Sequence, residues 1–548
     1  MADETFDIAI IGGGVTGCGA ALDAASRGLS VALIEQRDYA SGTSSRSSKL
    51  IHGGLRYLEQ RHFALVREAR YEQALLLTRL CPHLVRPIPF LFPLTHRIWE
   101  RLYIGAGVLL YDQFGRSVLP RHRHLSRSAV LRGFPALRGD TLVGGIQYYD
   151  AQIDDARHTL TLARTAALHG AALATSVRAV GFEKDRGRVC AVRARCLETG
   201  SDLEIRARQI INATGVWTER VHGLAGGGHI RVRASKGIHL LVPRHRIDAN
   251  GGLILRTENS VLFVIPWYEH WIIGTTDTSW DLDLDHPAAS RADIDYLLTT
   301  LNGALSDPLG HDDIFGVYAG LRPLLYGEDD ATSKLSREHA VSTADSGLIS
   351  VAGGKYTTYR VMAKDAVDLA ASRLEAGVQR CRTDRLPLLG ADGFPECKAR
   401  CAEFAREVGL PEKHVERLLD RYGSLVVELL ALIADRPDLG ECLEGAGSYL
   451  RVEALYAATH EGALHLDDLL TRRTRISIET EDRGLRAAES ICELVAETLG
   501  WSPEIREREL SHYRARVAAE RESQEQRDDR TADAARLGAP DVRTGGRA

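Results

Sequence analysis

The sequence predicts an α/β chain of several domains: a Rossmann-like unit on a parallel sheet, a second domain on antiparallel sheet, and an all-α C-terminal domain. Three observations carry this reading. The N-terminal stretch DIAIIGGGVTGCGAALDAASRGLSVALIEQ alternates strand, glycine turn, helix and strand. Between Gly251 and Thr276, GLILRT, SVLFVIPW and HWIIGTTD read as successive antiparallel strands. From about Leu386 the pattern turns helical and charged, as in HVERLLDRYGSLVVELLALIA and RAAESICELVAETLG. A chain of 548 residues also exceeds what one core serves.

Asp7 to Ile11 is a short apolar strand, and Gly12, Gly14 and Gly17 fill the GxGxxG positions before an alanine-rich helix that runs to about Arg27. Gly12 permits the tight turn, Gly14 lets a pyrophosphate approach the backbone, and Gly17 lets helix and strand pack closely. The helix N-terminus offers unpaired N–H groups and partial positive charge to phosphates. The second strand, Ser30 to Ile34, ends on Glu35, placed to accept hydrogen bonds from ribose hydroxyls. This is a dinucleotide site, and NAD and FAD share its fold.

The next segment, SRSSKLIHGGLRYLE from Ser45 to Glu59, gathers Arg46, Lys49, His52 and Arg56 around Gly53 and Gly54. Cations, hydroxyls and backbone N–H groups together suit an anion, a pyrophosphate or a flavin edge. Two later strand ends carry glycines: RQIINATGVWT with Ala213-Thr214-Gly215, and GLISVAGGKYTTYR with Gly353-Gly354 before Lys355. They imply a long cofactor held along the carboxyl edge of one sheet assembled from distant sequence.

Net charge is −5, from 69 basic and 74 acidic side chains, which argues against a nucleic-acid partner. The nine cysteines are not spaced like a zinc site or a disulfide framework, so no metal is expected. No charged-then-apolar leader precedes Phe6, which predicts the cytoplasmic side. LYIGAGVLLY, from Leu102 to Tyr111, is far short of the roughly 20 apolar residues a spanning helix needs. The wider segment IPFLFPLTHRIWERLYIGAGVLLY, followed by RHRHLSR, reads either as an interfacial membrane contact or as a buried helix and solvated loop.

The expected division is a discontinuous nucleotide-binding domain over 5–86, 143–229 and 347–380, and a substrate domain over 87–142 and 230–346. A helical domain over 385–522 follows, then a polar, arginine-rich tail, 523–548, expected to be disordered.

In order along the chain, the fingerprint, TSSRSSKLIHGGLRYLE, INATGVW, FVIPW, IIGTTDT, GLRPL and AGGKYTTYR resemble the FAD-dependent glycerol-3-phosphate dehydrogenases of the glycine-oxidase-like flavoprotein group. The resemblance covers nearly the whole chain, from Phe6 to the end of the helical domain. It implies tightly bound, non-covalent FAD, a sheet-based substrate domain, a helical C-terminal domain, and electron delivery to quinone at a membrane, with the protein peripheral to it. A homodimer is left open. For the cofactor it implies Gly12, Gly14, Gly17, Glu35, Ser44, Ser45, Ser47, Lys49, Leu50, His52, Gly53, Val177, Ala213, Gly215, Gly354, Lys355 and Thr357. For the substrate it implies Arg56, Tyr57, Arg337 and Lys355 at a phosphate, with Arg322 and His239 at the alcohol. His239, Arg322 and Lys355 are thus the expected catalytic residues.

Arginine's planar fork suits an oxyanion, and lysine adds a mobile point charge. Arg322 is a better alkoxide stabiliser than base, because it hardly deprotonates. His239 has the chemistry of a base; flanked by Ile238 and Leu240, it also fits a satisfied core histidine. Arg337, in the polar run TSKLSREHA, also fits a solvated loop, and Asp277 in GTTD either closes a turn or holds a site loop. The reaction implied is oxidation of sn-glycerol 3-phosphate to dihydroxyacetone phosphate by hydride transfer from C2. Its rivals are the same half-reaction with O2 as acceptor, an amino-acid or amine oxidase on the same fold, and a non-enzymatic flavin-binding subunit.

Overall fold

A computed structural model describes residues 4–54, 62–96, 99–114, 118–257, 261–326, 338–374 and 377–543. The apolar run before Gly12 forms β1 (Thr5–Ile11), the helix Val15–Ser26 starts on Gly14, and β2 (Val31–Ile34) returns parallel to β1 with Ile8 opposite Val31. The chain then leaves through β3 (Leu50–Ile51), β4 (Val85–Leu94), β5 (Arg123–Ser126) and β6 (Gly144–Ile153). It comes back with β7 (Ala172–Ala174), the hairpin β8 (Val177–Asp185) and β9 (Arg188–Cys196), and β10 (Asp202–Asn212). A second excursion follows: β11 (Val232–Pro243), β12 (Gly252–Arg256), β13 (Val261–Trp267), β14 (His270–Gly274), β15 (Thr278–Trp280) and β16 (Gly316–Leu325). Finally β17 (His339–Thr343) and β18 (Ile349–Gly353) rejoin the first sheet.

That first sheet has the order β17-β18-β10-β1-β2-β7, parallel from β18 to β7, with β17 antiparallel at one edge and the β8–β9 hairpin paired onto β10. Helices Val15–Ser26, Asp155–Leu168 and Tyr359–Ala371 bury alanines and aliphatic side chains against it. The carboxyl ends of β1, β2, β10 and β18 therefore open on one side, where a ligand of such a sheet binds.

The second sheet runs β15-β11-β14-β13-β12-β4-β6-β3, with β16 also on β11 and β5 on β6. Among the described residues only its β4–β12 pair is parallel. One face packs on the helix Arg291–Asn302. The other holds Trp267, Tyr148 and Tyr111, the last from the helix Trp99–Phe114. Strand β6 was expected in the nucleotide-binding domain, but ten consecutive pairs from Val85–Ile153 to Leu94–Gly144 bind it to β4 in the second sheet. Its uninterrupted partner strand decides its place, which a stretch read alone does not reveal.

Beyond β18 the chain forms helices around two cores, one centred on Val415, Leu429 and Tyr456, the other on Leu469, Ile491 and Tyr513. The tail differs from expectation. Helix Pro503–Glu525 is followed by Asp529–Arg536, Ala532 is fully buried beside Val216 and Trp280, and Arg543 pairs with Asp468 at 2.8 Å. Low hydropathy failed as a sign of disorder here because the tail's arginines have buried carboxylate partners.

Candidate active site

A cavity of about 540 Å³ lies along the carboxyl ends of the parallel strands and reaches the second sheet. One end is nucleotide-like. Gly12, at φ +113°, sits where an added Cβ would fall 2.7 Å from Ala213 O, and a Cβ on Gly17 would fall 1.9 Å from Gly12 O. Helix and strand are therefore in van der Waals contact through glycine alone, as the fingerprint requires. Gly14 caps the helix Val15–Ser26 without a side-chain cap of its own, and Ser44 Oγ accepts from Val15 N at 2.9 Å. Glu35, at the end of β2, accepts from Gly13 N at 2.7 Å and from Arg37 N at 2.9 Å, and burial raises its pKa above the ordinary carboxylate value. Each carboxylate oxygen keeps acceptor capacity for a hydroxyl.

The wall continues through Leu50, His52, Val177, Ala213, Gly215, Gly354 and Thr357. Gly354 at φ +74° and Gly353 at φ +78° make a left-handed pair that only glycine adopts readily, and they turn Lys355 into the cavity. Thr357 ties this turn to the first segment: its hydroxyl donates to His52 O and accepts from His52 N, both at 3.2 Å.

At the far end stand His239 and Arg322 from the paired strands β11 and β16. His239 is 2 % exposed, stacks on Tyr318 at 4.8 Å, and places Nε2 2.8 Å from Ser48 Oγ. Its Nδ1 is buried with no hydrogen-bond partner among the described residues. Burial, then the positive charges of Arg322 and Lys49, hold its pKa well below the usual imidazole value, so the ring is neutral. Arg322 is oriented by Thr275 Oγ1 at 3.0 Å, Thr276 O at 3.2 Å, and Ser235 Oγ and Asp277 Oδ1 at 3.4 Å. Ser235 also donates to Asp277. Asp277 is thus a side chain that steadies Arg322.

Several expected residues are placed otherwise. Lys49 is fully buried with Nζ 2.8 Å from Asp155 Oδ1 and 3.1 Å from Ser45 O, so its ammonium serves the interior and not the cavity. Asp155 is reached from three directions, since Ser47 Oγ donates to it at 2.7 Å and Arg475 also pairs with it. Gly53 donates to Tyr111 OH at 2.7 Å, and a Cβ there would meet Tyr111 and Arg70 at 2.8 Å. Neither Ser45, Lys49 nor Gly53 lines the cavity, although Ser47 does. Arg56, Tyr57 and Arg337 lie outside the described residues. Ser48 was missed as a functional side chain: among four serines near one lysine, no spacing distinguishes the one that reaches a strand 191 residues away.

The elongated wall, with an acid at the ribose end, a glycine-only cradle and a helix N-terminus at its middle, and His239 and Arg322 at the far end, fits FAD. Comparison with known proteins agrees. The family model "FAD dependent oxidoreductase" matches residues 7–421, and "C-terminal domain of alpha-glycerophosphate oxidase" matches 381–506. A glycerol-3-phosphate dehydrogenase of Mycobacterium leprae is 55% identical over 543 residues, 99% of this chain and 93% of that one. The mitochondrial glycerol-3-phosphate dehydrogenase of Mus musculus is 37% identical over 92% of this chain and 72% of its own. The crystal structure of the glycerol-3-phosphate dehydrogenase from Bacillus halodurans, complexed with FAD, matches with a TM-score of 0.78 at 30% identity, covering 94% of this chain and 95% of that one.

Proposed function

The chain belongs to the FAD-dependent oxidoreductases, in their glycerol-3-phosphate dehydrogenase group, and on that premise we propose how its own residues oxidise sn-glycerol 3-phosphate to dihydroxyacetone phosphate. FAD, when bound, supplies the two-electron acceptor for the hydride from C2. The observation that carries the assignment of roles is the convergence of neutral His239, Arg322 and Lys355 on one cavity beyond the glycine cradle.

In this reading His239 takes the proton of the C2 hydroxyl at Nε2, the ring nitrogen that meets Ser48 Oγ on the cavity wall. A base that stays neutral is ready at any working pH, and Arg322 offsets its weak basicity by stabilising the developing alkoxide, which makes the hydroxyl easier to deprotonate. Lys355 adds a mobile positive charge toward the substrate's phosphate. Fixing the phosphate and the alcohol at once aligns C2, and alignment of this kind supplies roughly 7–11 kcal/mol of a barrier at most.

The proposed acceptor is quinone at a membrane. No helix among the described residues is long and apolar enough to cross one. The helix Trp99–Phe114 turns Trp99, Leu102, Tyr103 and Leu109 outward, exposed on one face at helical spacing, and Phe63 is exposed near its far end, where it rests on Phe114. Such a face suits interfacial contact, and pelleting with anionic vesicles, lost in Leu102→Glu, tests it.

Anaerobic mixing of the holoenzyme with glycerol 3-phosphate tests the central reading. Bleaching of the flavin band by that compound, and not by glycerol or glycine, is expected; bleaching by an amino acid would replace it. Hydrogen peroxide yield in air, set against quinone reduction, separates a dehydrogenase from an oxidase.

A further inference from the structure

Beside the cofactor cavity, behind the segment Ser41–Arg46, lies a separate chamber of about 70 Å³. A single water needs roughly 10–15 Å³, so this space holds several waters or one small polyatomic ion. Its wall joins distant parts of the chain: Arg37 and Arg46 from the FAD-binding unit, and Arg472, Arg475, Arg516 and Arg536 from the C-terminal helices. Among the described lining residues, those six arginines face two carboxylates, Asp467 and Asp541.

The carboxylates are already engaged. Asp467 pairs with Arg472 and Arg516, both at 3.0 Å, and Asp541 with Arg543 at 3.5 Å. Arg472 also meets Asp38 and Asp468, and Arg475 is held by Asp154 and Asp155. Arg536 has Glu520 at 3.6 Å and donates to Ala539 O at 2.8 Å. Arg516 also pairs with Glu520 at 2.9 Å, and Arg37 donates to Asp285 O at 3.0 Å, so the cation left over is Arg46. The Arg46 guanidinium has no hydrogen-bond or ion-pair partner among the described residues. Arg37 Nε and Arg516 Nη1 are buried without one. Burial, then the guanidiniums of Arg37 and Arg536, pull the pKa of Arg46 down to about 9. His286, which accepts a long 3.4 Å contact from Arg536 at Nδ1, is kept neutral by burial and by that same arginine. An uncompensated guanidinium held among other guanidiniums is costly unless an anion joins it.

We infer that this chamber is an oxyanion site distinct from the substrate's, taking one phosphate or sulfate dianion between Arg37 and Arg46 on one side and Arg516 and Arg536 on the other. Paired N–H groups of arginine forks match tetrahedral oxyanions better than they match chloride, and the volume admits the inorganic ion more readily than a phosphate ester. Because Arg46 also borders the cofactor cavity and Arg536 belongs to the tail, the anion fastens the tail to the FAD-binding unit.

The test is sulfate binding to the holoenzyme by calorimetry, at constant ionic strength set with sodium chloride and with dihydroxyacetone phosphate filling the substrate position. One equivalent should bind, weakened roughly tenfold, or about 1.4 kcal/mol, in Arg536→Gln and largely restored in Arg536→Lys. Equal sulfate affinity in Arg536→Gln and the parent overturns the inference. Should Arg536→Gln not fold, crystals of the parent holoenzyme in selenate decide: an anomalous peak between Arg46 and Arg536 is expected, and its absence at saturating selenate overturns the site. The ion's position is independent of the substrate assigned above.

Discussion

Ser48 Oγ stands 2.8 Å from His239 Nε2, joining a loop of the FAD-binding unit to strand β11 of the second sheet. His239→Asn keeps a polar group and removes the base, so the rate of flavin reduction should fall by roughly 10²–10⁴ with bound flavin retained. Ser48→Ala removes one hydrogen bond of about 1–1.5 kcal/mol and should cost roughly tenfold. Anaerobic stopped-flow absorbance reads both, and an unchanged rate in His239→Asn returns the ring to a packing role.

The same histidine fixes a pH dependence. Burial first, then Arg322 and Lys49, push its pKa down in the folded protein, so protonation is disfavoured and the ring stays neutral as pH falls through the ordinary value of about 6.5. The profile of kcat/KM should therefore show no acid limb near that value. An acid limb there that disappears in His239→Asn would contradict the assignment.

The two fingerprint glycines at the helix start should differ sharply. A Cβ on Gly17 would lie 1.9 Å from the backbone oxygen of Gly12, whereas one on Gly14 meets only Ser44 Oγ, at 3.3 Å. Gly17→Ala must separate helix from strand and should yield protein with little flavin, read from the flavin-to-protein absorbance ratio. Gly14→Ala should retain most of it.

Arg157 and Glu461 form a buried seam between the FAD-binding unit and the helical domain, at 2.6 Å with both side chains nearly unexposed. Removing one partner of such a pair leaves a charge buried, and Arg157→Met should destabilise by roughly 3–5 kcal/mol, seen as a lower Tm. Glu461 has its pKa lowered by Arg157, against the opposing effect of burial. Its contribution is thus present above the unfolded carboxylate value of about 4.3 and is lost as pH falls through the lower folded value. In Arg157→Met that contribution is gone and burial pushes the Glu461 pKa up, so acid should cost the variant less stability than it costs the parent.

Local sequence carried the nucleotide end well, because each part of GxGxxG-strand-acid has a task set within one βαβ unit. The direction of Lys49 was not legible: its cation suggested an anion in the cavity, while the partner that claims it, Asp155, lies 106 residues away. His239 and Arg322 were legible as chemistry, but what steadies them was not, since Ser48, Ser235 and Asp277 become neighbours only when strands pair. The tail was misjudged from composition for the same reason. Its ion-pair partners, Asp468 and Lys236, sit in other domains.

That tail makes the last prediction. Asp529 pairs with Lys236 and accepts from Ser290 Oγ at 3.0 Å, and Arg291 N donates to Gln526 O at 2.7 Å. Three residues on, Ala532 is fully buried among Val216, Trp217, Trp280 and Leu321. Val216, Trp217 and Leu321 are themselves walls of the cofactor cavity. Deleting the chain from Asp528 onward uncovers those walls while leaving the fingerprint, His239 and Arg322 in place. Losing even one to two kcal/mol of such closure corresponds to roughly a five- to thirtyfold change, so flavin should dissociate faster by about that factor, followed by the rise in free FAD fluorescence on dilution. Lys236 keeps Asp293 as a partner, which spares the second sheet a stranded charge, so Asp529→Asn should speed release only part of the way. A truncated protein that holds FAD as long as the full chain would mean the tail packs on the wall without closing it.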